Sequence, residues 1–205
     1  MEKTEKFEQG SVSLRTAWQV QAGGFHIEHH ASPRAGEELF WLVGENIATQ
    51  DGAKHISRTR IDVYEPNKSC LWAFIIKRGD PTKTIRFIMY CNLKSGDIYD
   101  AAFIGCYFEM VGDLLYVYRR TGGASTLILS TTVTADTEEH IVCVSREVSG
   151  VNRFWRLFYD PEITDLTDPA ALEDGPTSDA TITNGLYTAW NCDERDMVTC
   201  IKAQS

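Results

Sequence analysis

Short apolar segments, each closed by a glycine or polar turn, dominate the second half of the chain. Between residues 100 and 204 they read AAFIGCYFEMV, LLYVYRR, TLILSTTV, HIVCVSREV and NRFWRLFYD, and the series closes on NGLYTAW and MVTCIKA. These segments have the length of strands and are rich in β-branched and aromatic residues. Helical periodicity is nearly absent, so the pattern predicts an all-β, antiparallel two-sheet sandwich. Gly112-Asp113 separates YFEMV from LLYVY at the two-residue spacing of a tight hairpin, and Thr121-Gly122-Gly123 and Ser149-Gly150 punctuate later junctions.

The first half carries the same signal less regularly. HISRTRIDVY (55–64) alternates apolar and polar positions, which predicts a strand with one solvated face. CLWAFIIKR and TIRFIMYCNL are strands of more continuous apolar character, joined by RGDPT (78–82), where Arg78-Gly79-Asp80 reads as a turn. Residues 1–10 read as a flexible tail and 11–205 as a single domain, a size that sandwiches commonly reach as one unit. The long acidic excursion 160–183 is expected to be a loop. Within it lies the sole helical expectation, one turn at DPAALED (168–174), with Asp168 as cap and Pro169 at the first helical position. The last strand, MVTCIKA, is expected to pair near the beginning of the chain.

Charge narrows the partners. Twenty basic residues against 29 acidic ones leave a net charge of −9, which disfavours nucleic acid. The longest strongly apolar run, LWAFII, is too short to span a bilayer, and MEKTEKFEQG at the start has no apolar stretch. The expectations are therefore no membrane insertion and cytoplasmic synthesis without a signal peptide. The six cysteines, Cys70, Cys91, Cys106, Cys143, Cys192 and Cys200, form no C-x-x-C pair and read as buried free thiols, with Cys192 and Cys200 as the pair to test for a bridge.

At this level of detail residues 84–204 resemble a concanavalin A-like (laminin G-like) jelly-roll domain. The likeness lies in the order YVYRR, glycine turn, TLILSTTV, then HIVCVSREV, a Ser-Gly turn, RFWRLFYDPEITDLTD, NGLYTAW and a last strand. Residues 11–83 are similar only in general β character. The resemblance implies two packed sheets with one concave face, used for glycans or as an adhesive or structural module. Domains of this type also occur in carbohydrate-binding modules and phage virion proteins, which implies glycan or virion-assembly partners and a virion or surface location.

Candidate chemistry is sparse. In FHIEHH (25–30), His26, Glu28 and His30 share one face if the segment is a strand, a ligand set suited to a transition metal. Same-face neighbours stand ~7 Å apart on a strand, which is too far for all three to reach one ion without a bulge. Glycosidases need two carboxylates across a sugar bond, and no E-x-D-x-E strand exists. Glu109 stands alone among apolar neighbours. CYFEMVGDLLYVY (106–118) faintly resembles the Y-F-K-x-G-x-Y block of alginate-lyase-like jelly rolls, but Glu109 occupies the lysine position and reverses its charge. Trp72 and Trp155 read as core, and Trp190 as the exposed aromatic that could stack on a sugar. With Asn191 and Asp193 it forms the expected ligand-binding set; no cofactor is expected, although the carboxylates of the loop 191–196 are of a type that suits a calcium ion.

The reading is thus a non-catalytic glycan-binding or structural module that displays its loops 44–55, 160–183 and 190–196. Single weak sites need multivalency, so a homo-oligomer or attachment to a larger particle is expected. Two alternatives remain open: a polysaccharide lyase or glycoside hydrolase on the same fold, and a capsid-decorating or tail-assembly protein.

Overall fold

The computed structural model describes residues 2–5, 18–22, 25–33, 36–44, 54–59, 69–93, 100–161, 172–182, 185, 187–192 and 195–204. In chain order its strands are β1 Glu2–Glu5, β2 Trp18–Ala22, β3 Phe25–Ser32, β4 Glu37–Gly44, β5 Lys54–Thr59, β6 Cys70–Lys77, β7 Ile85–Cys91, β8 Gly105–Val111, β9 Leu114–Thr121, β10 Ala124–Thr132, β11 Glu139–Ser149, β12 Asn152–Tyr159, β13 Leu172–Ser178, β14 Tyr187–Cys192 and β15 Met197–Gln204. They form an eight-stranded sheet, ordered β13-β12-β11-β6-β15-β4-β3 with β1 also on β15, and a seven-stranded sheet, ordered β10-β9-β8-β7-β14-β5-β2. Every pairing is antiparallel. Among the described residues there is no helix.

The hairpins foreseen at the glycine turns are present. Val111 faces Leu114 across Gly112-Asp113, and Ser149 faces Asn152. Gly112 and Gly150 take left-handed φ of 59° and 62°, a conformation that costs glycine nothing.

Between the sheets lies one core. Trp72, Phe74 and Ile76 of β6 meet Phe87, Phe108, Met110 and Val117 of the other sheet. The intervening residues of β6, Ala73 and Ile75, point to the opposite side, yet they too are buried, in a second cluster with Leu39, Trp41, Ile141, Cys143 and Phe158. The β3–β4 hairpin supplies the cover. β4 pairs with β15 only at Val43 and Leu42, then leaves the sheet. At the far end of the hairpin the Ser32 hydroxyl donates to Glu139 Oε2 at 2.6 Å, at the start of β11. The hairpin therefore lies as a strap across the outer face of the eight-stranded sheet. This explains why β6 reads CLWAFIIK without alternation: both of its faces are dry.

Departure of β4 also leaves part of the β15 edge open, and β1 fills it, with Glu5 paired to Ile201 and Glu2 to Gln204. Part of the stretch read as a tail is thus a strand, and the last strand does pair near the start of the chain. The expected helical turn at 168–174 is corrected as well. Leu172–Ser178 is a strand paired to β12, while 168–171 lie outside the described residues. Ladder pairing outweighs the modest helical propensity of so short a segment. Asp174 Oδ2 then accepts the Ser130 N–H at 2.7 Å and links the edges of the two sheets. The Cys192–Cys200 bridge is not made: Cys192 is a buried free thiol, on the sheet opposite β15.

One end of the core holds a charge. Arg146, 1% exposed, sits 5.8 Å from the Trp72 ring centroid, 5.4 Å from Tyr90 and 5.9 Å from Trp155. Trp72 and Trp155, both expected in the core, stack at 6.0 Å with 6° between their planes. A guanidinium is weakly hydrated and planar, so π faces accept it where an ammonium would stay in water. The segment 179–182 closes this end: Trp155 Nε1 donates to the Asp179 carbonyl at 3.0 Å, the Tyr90 hydroxyl to the Ile182 carbonyl at 3.1 Å, and Arg119 pairs with Asp179 at 2.9 Å.

Arg146→Ala empties the space between three rings and is expected to cost about 2–5 kcal/mol, the range of large-to-small core substitutions. Arg146→Met refills the volume without a charge and should recover most of that loss. Urea unfolding midpoints check this; an alanine variant as stable as the parent would show that the cage is not structural.

Candidate functional site

The outer face of the seven-stranded sheet carries a group of partly exposed polar and aromatic side chains. Period-two alternation on β9 sends Leu115 and Val117 inward and Leu114, Tyr116 and Tyr118 outward. Strand register then aligns Tyr116, Glu109, Arg86 and Asn191 in one row across β9, β8, β7 and β14. Arg86 Nε donates to Glu109 Oε2 at 2.5 Å, and Arg86 Nη1 donates to Asn191 Oδ1 at 3.2 Å. The side chains of the ion pair are 14% and 17% exposed, dry enough to be rigid and wet enough to be reached.

A second row places Ala189, Ile88, Tyr107, Tyr118 and Leu127 side by side. Tyr118 lies 5.4 Å from Tyr107 and 5.5 Å from Tyr116, centroid to centroid. Phe103 and Leu93, from the β7–β8 connection, pack on Tyr107, Ile88, Cys91 and Ala189 and close that part of the face. The remainder is open: Leu127 is 50% exposed, Leu114 37%, and Tyr116 and Tyr118 are partly exposed. At its margin the Tyr107 hydroxyl and Arg120 Nη1 meet Ser125 Oγ at 3.1 and 3.0 Å. Fixed donors and acceptors beside aromatic planes can hold a hydroxylated ring, whose C–H faces suit tyrosine. Among the described strand residues of this face Glu109 is the only carboxylate, and it is already paired; two-carboxylate hydrolysis has no partner for it there.

Of the expected ligand-binding set, the structure brings one residue to this face. Trp190 was expected at an exposed rim; it is buried at 1% in the core, 5.9 Å from Phe25. It pairs with Phe87 on the inward side of β14, and strand alternation therefore turns the next residue, Asn191, outward to Arg86. Asp193 lies outside the described residues. In the same loop Asp196 is 1% exposed, and its Oδ1 accepts the Gly79 N–H at 2.9 Å, which turns it inward to the backbone.

His26, Glu28 and His30 do share one face of β3. Glu28 stands between the imidazoles, with His26 Nε2 2.9 Å from Oε1 and His30 Nδ1 3.8 Å from Oε2, and His30 stacks on Trp41 at 5.1 Å. Among the described residues no three His, Cys, Asp or Glu side chains converge as a metal site. Burial pushes the thiols of Cys91, Cys106 and Cys143 up to about 12, so these three are poor nucleophiles.

A constellation that sequence reasoning missed lies at the start of β11. His140 Nδ1 bonds Asp160 Oδ2 at 2.7 Å and Nε2 bonds Asp136 Oδ1 at 2.8 Å, while its ring stacks on Tyr159 at 5.1 Å. Both ring nitrogens are engaged, so the imidazole is a clamp and not a free base. Burial opposes its charge, but the hydrogen bonds and charges of Asp160 and Asp136 outweigh that, and its pKa is raised above 6.5. For Asp136 burial again pushes upward and is outweighed by the bond from His140, so its pKa is lowered below 3.8. Only the i,i+4 spacing of Asp136 and His140 hinted at this; Asp160 arrives from the next strand.

No family model matches the chain, and no curated protein does. Among solved structures it is similar to carbohydrate-binding module CBM66 from Bacillus subtilis, with a TM-score of 0.55, 14% identity, and coverage of 93% of this chain and 96% of that one. A protein of unknown function from Shewanella oneidensis MR-1 superposes with a TM-score of 0.59 at 8% identity, over 98% of this chain and 84% of its own. The exoplasmic/lumenal domain of VIP36, in its Ca2+/Man-bound form, gives 0.51 at 12% identity, over 92% of this chain and 82% of that one. At such identities the likeness is one of fold. The chain has the concanavalin-like jelly-roll fold that its second half resembles.

The His140 clamp makes stability depend on pH. A raised folded pKa means that the contribution of His140 is fully present below the unfolded value of about 6.5 and is lost as pH rises through the folded one. The contribution of Asp136 runs the other way, present above its unfolded value and lost as pH falls. Unfolding midpoints should therefore decline on the alkaline side of about 6.5, and His140→Gln should flatten that decline. An unchanged slope in the variant would mean that the clamp does not carry it.

Proposed function

We propose that this chain is a non-catalytic glycan-binding module that holds a saccharide on the outer face of its seven-stranded sheet. The observation that carries the reading is the row Tyr116–Glu109–Arg86–Asn191, in which an aromatic plane adjoins an acceptor, a donor and an amide already locked to one another. Sugars present both hydroxyls and apolar C–H faces, and this row answers both without reorganising. The fold shared with a carbohydrate-binding module is consistent with it but does not by itself assign a ligand.

Such a shallow face binds weakly. Display in several copies, in a homo-oligomer or on a larger particle such as a virion, supplies the avidity that one face lacks.

A glycan array probed with the protein on a multivalent support is expected to retain a defined set of neutral saccharides. Tyr116→Ala and Tyr118→Ala should each weaken that binding about tenfold, the scale of one lost aromatic contact, with the melting temperature little changed. Retention of no glycan, or retention unmoved by both substitutions, would sink the assignment.

A further inference from the structure

The eight-stranded sheet has a concavity of its own, where the strap leaves it. There Val43, Met197 and Lys77 lie side by side in register on β4, β15 and β6, and Glu28 of β3 stands beyond them. A cleft of about 420 Å³ opens at this point, floored by Val43 and Met197 and walled by Lys77, Arg78, Arg195 and Glu28. That size is within the range of small-ligand sites.

The rim is built by hydrogen bonds. The Gly79 N–H donates to Asp196 Oδ1 at 2.9 Å, the Gly44 N–H to the Asp196 carbonyl at 3.0 Å, and the Arg195 N–H to the Gly44 carbonyl at 2.9 Å. Three separate stretches of chain are thereby fixed around one buried aspartate. Arg195 is held with a left-handed φ of 62°, uncommon for a residue with a side chain and the kind of strain that gathers at functional positions.

The wall is cationic on a chain whose net charge is −9. The Lys77 side chain makes no hydrogen bond or ion pair among the described residues. Arg78, 2% exposed, is fixed in the wall by Nη1 donating to the Gly112 carbonyl at 2.7 Å and Nη2 to the Thr134 carbonyl at 2.6 Å, which holds its positive charge beside the cleft. The wall's one carboxylate, Glu28, is engaged by His26 and His30, which offsets its repulsion of an anion.

We propose that this cleft binds a small oxyanion, a carboxylate, sulfate or phosphate group, between Lys77 and Arg195, with the fixed charge of Arg78 in its wall. It lies on the sheet opposite the tyrosine face and stands independently of the glycan reading.

Calorimetric titration at constant ionic strength with sulfate, phosphate and glucuronate, and glucose as a neutral control, tests it. Millimolar or tighter binding of an oxyanion and none of glucose is expected. Lys77→Gln and Arg195→Gln should each weaken it about tenfold, the scale of a charge-assisted hydrogen bond, with melting temperatures kept. Tyr116→Ala should leave it unchanged, so loss of the tyrosine face and loss of the cleft are read separately. Binding of glucuronate alone assigns the group to a sugar, and binding of the inorganic ions assigns a free anion; both uphold the site. Binding of none of the three, or binding indifferent to both cation substitutions, overturns it.

Discussion

A strand that is apolar on both faces must be covered on both, and β6 imposes that condition on the whole molecule. Its inward residues require the second sheet, and Ala73 and Ile75 on the other side require a second cover. The β3–β4 strap meets that need by leaving β15 after two paired residues and crossing to Glu139. Two consequences follow for surfaces that can meet a partner. The broad outer face of the eight-stranded sheet is spent on the strap, so the tyrosine face belongs to the other sheet. The cleft arises at the corner where the strap departs.

Ionisable groups in this sandwich are kept by three different means. Arg146 lies among aromatic planes, whose faces attract a guanidinium. His140 relies on two carboxylates, whose attraction exceeds the penalty of burial. Arg86 and Glu109 rely on each other, and only they sit where a ligand can reach them. The first two therefore read as architecture and the third as a prepared surface.

How legible each part was depends on the range of the interaction that fixes it. Hairpins at Gly112 and Gly150 are local, since a two-residue turn needs only its own backbone, and they could be read directly. Trp190 and Asn191 show the limit. Both stood at the edge of a polar loop, but which of them faces the core is decided by the register of β14 against β7, a one-residue matter that reverses every assignment. The helical turn read at 168–174 overlaps the strand Leu172–Ser178, which forms because the open edge of β12 is available to pair with it. Glu109 looked solitary because its partners Arg86 and Asn191 come from other strands.

The sequence alone determined the strand-and-turn rhythm, the all-β class, the buried thiols and the likeness to a jelly roll, because side-chain alternation and turn chemistry act between near neighbours. Tertiary structure alone decided which faces stay open, where the strap lies, and how Arg86, Glu109, Asn191 and Tyr116 come to share a row. Those outcomes rest on register and on long-range covering of apolar surface, and neither is written in any short stretch of chain.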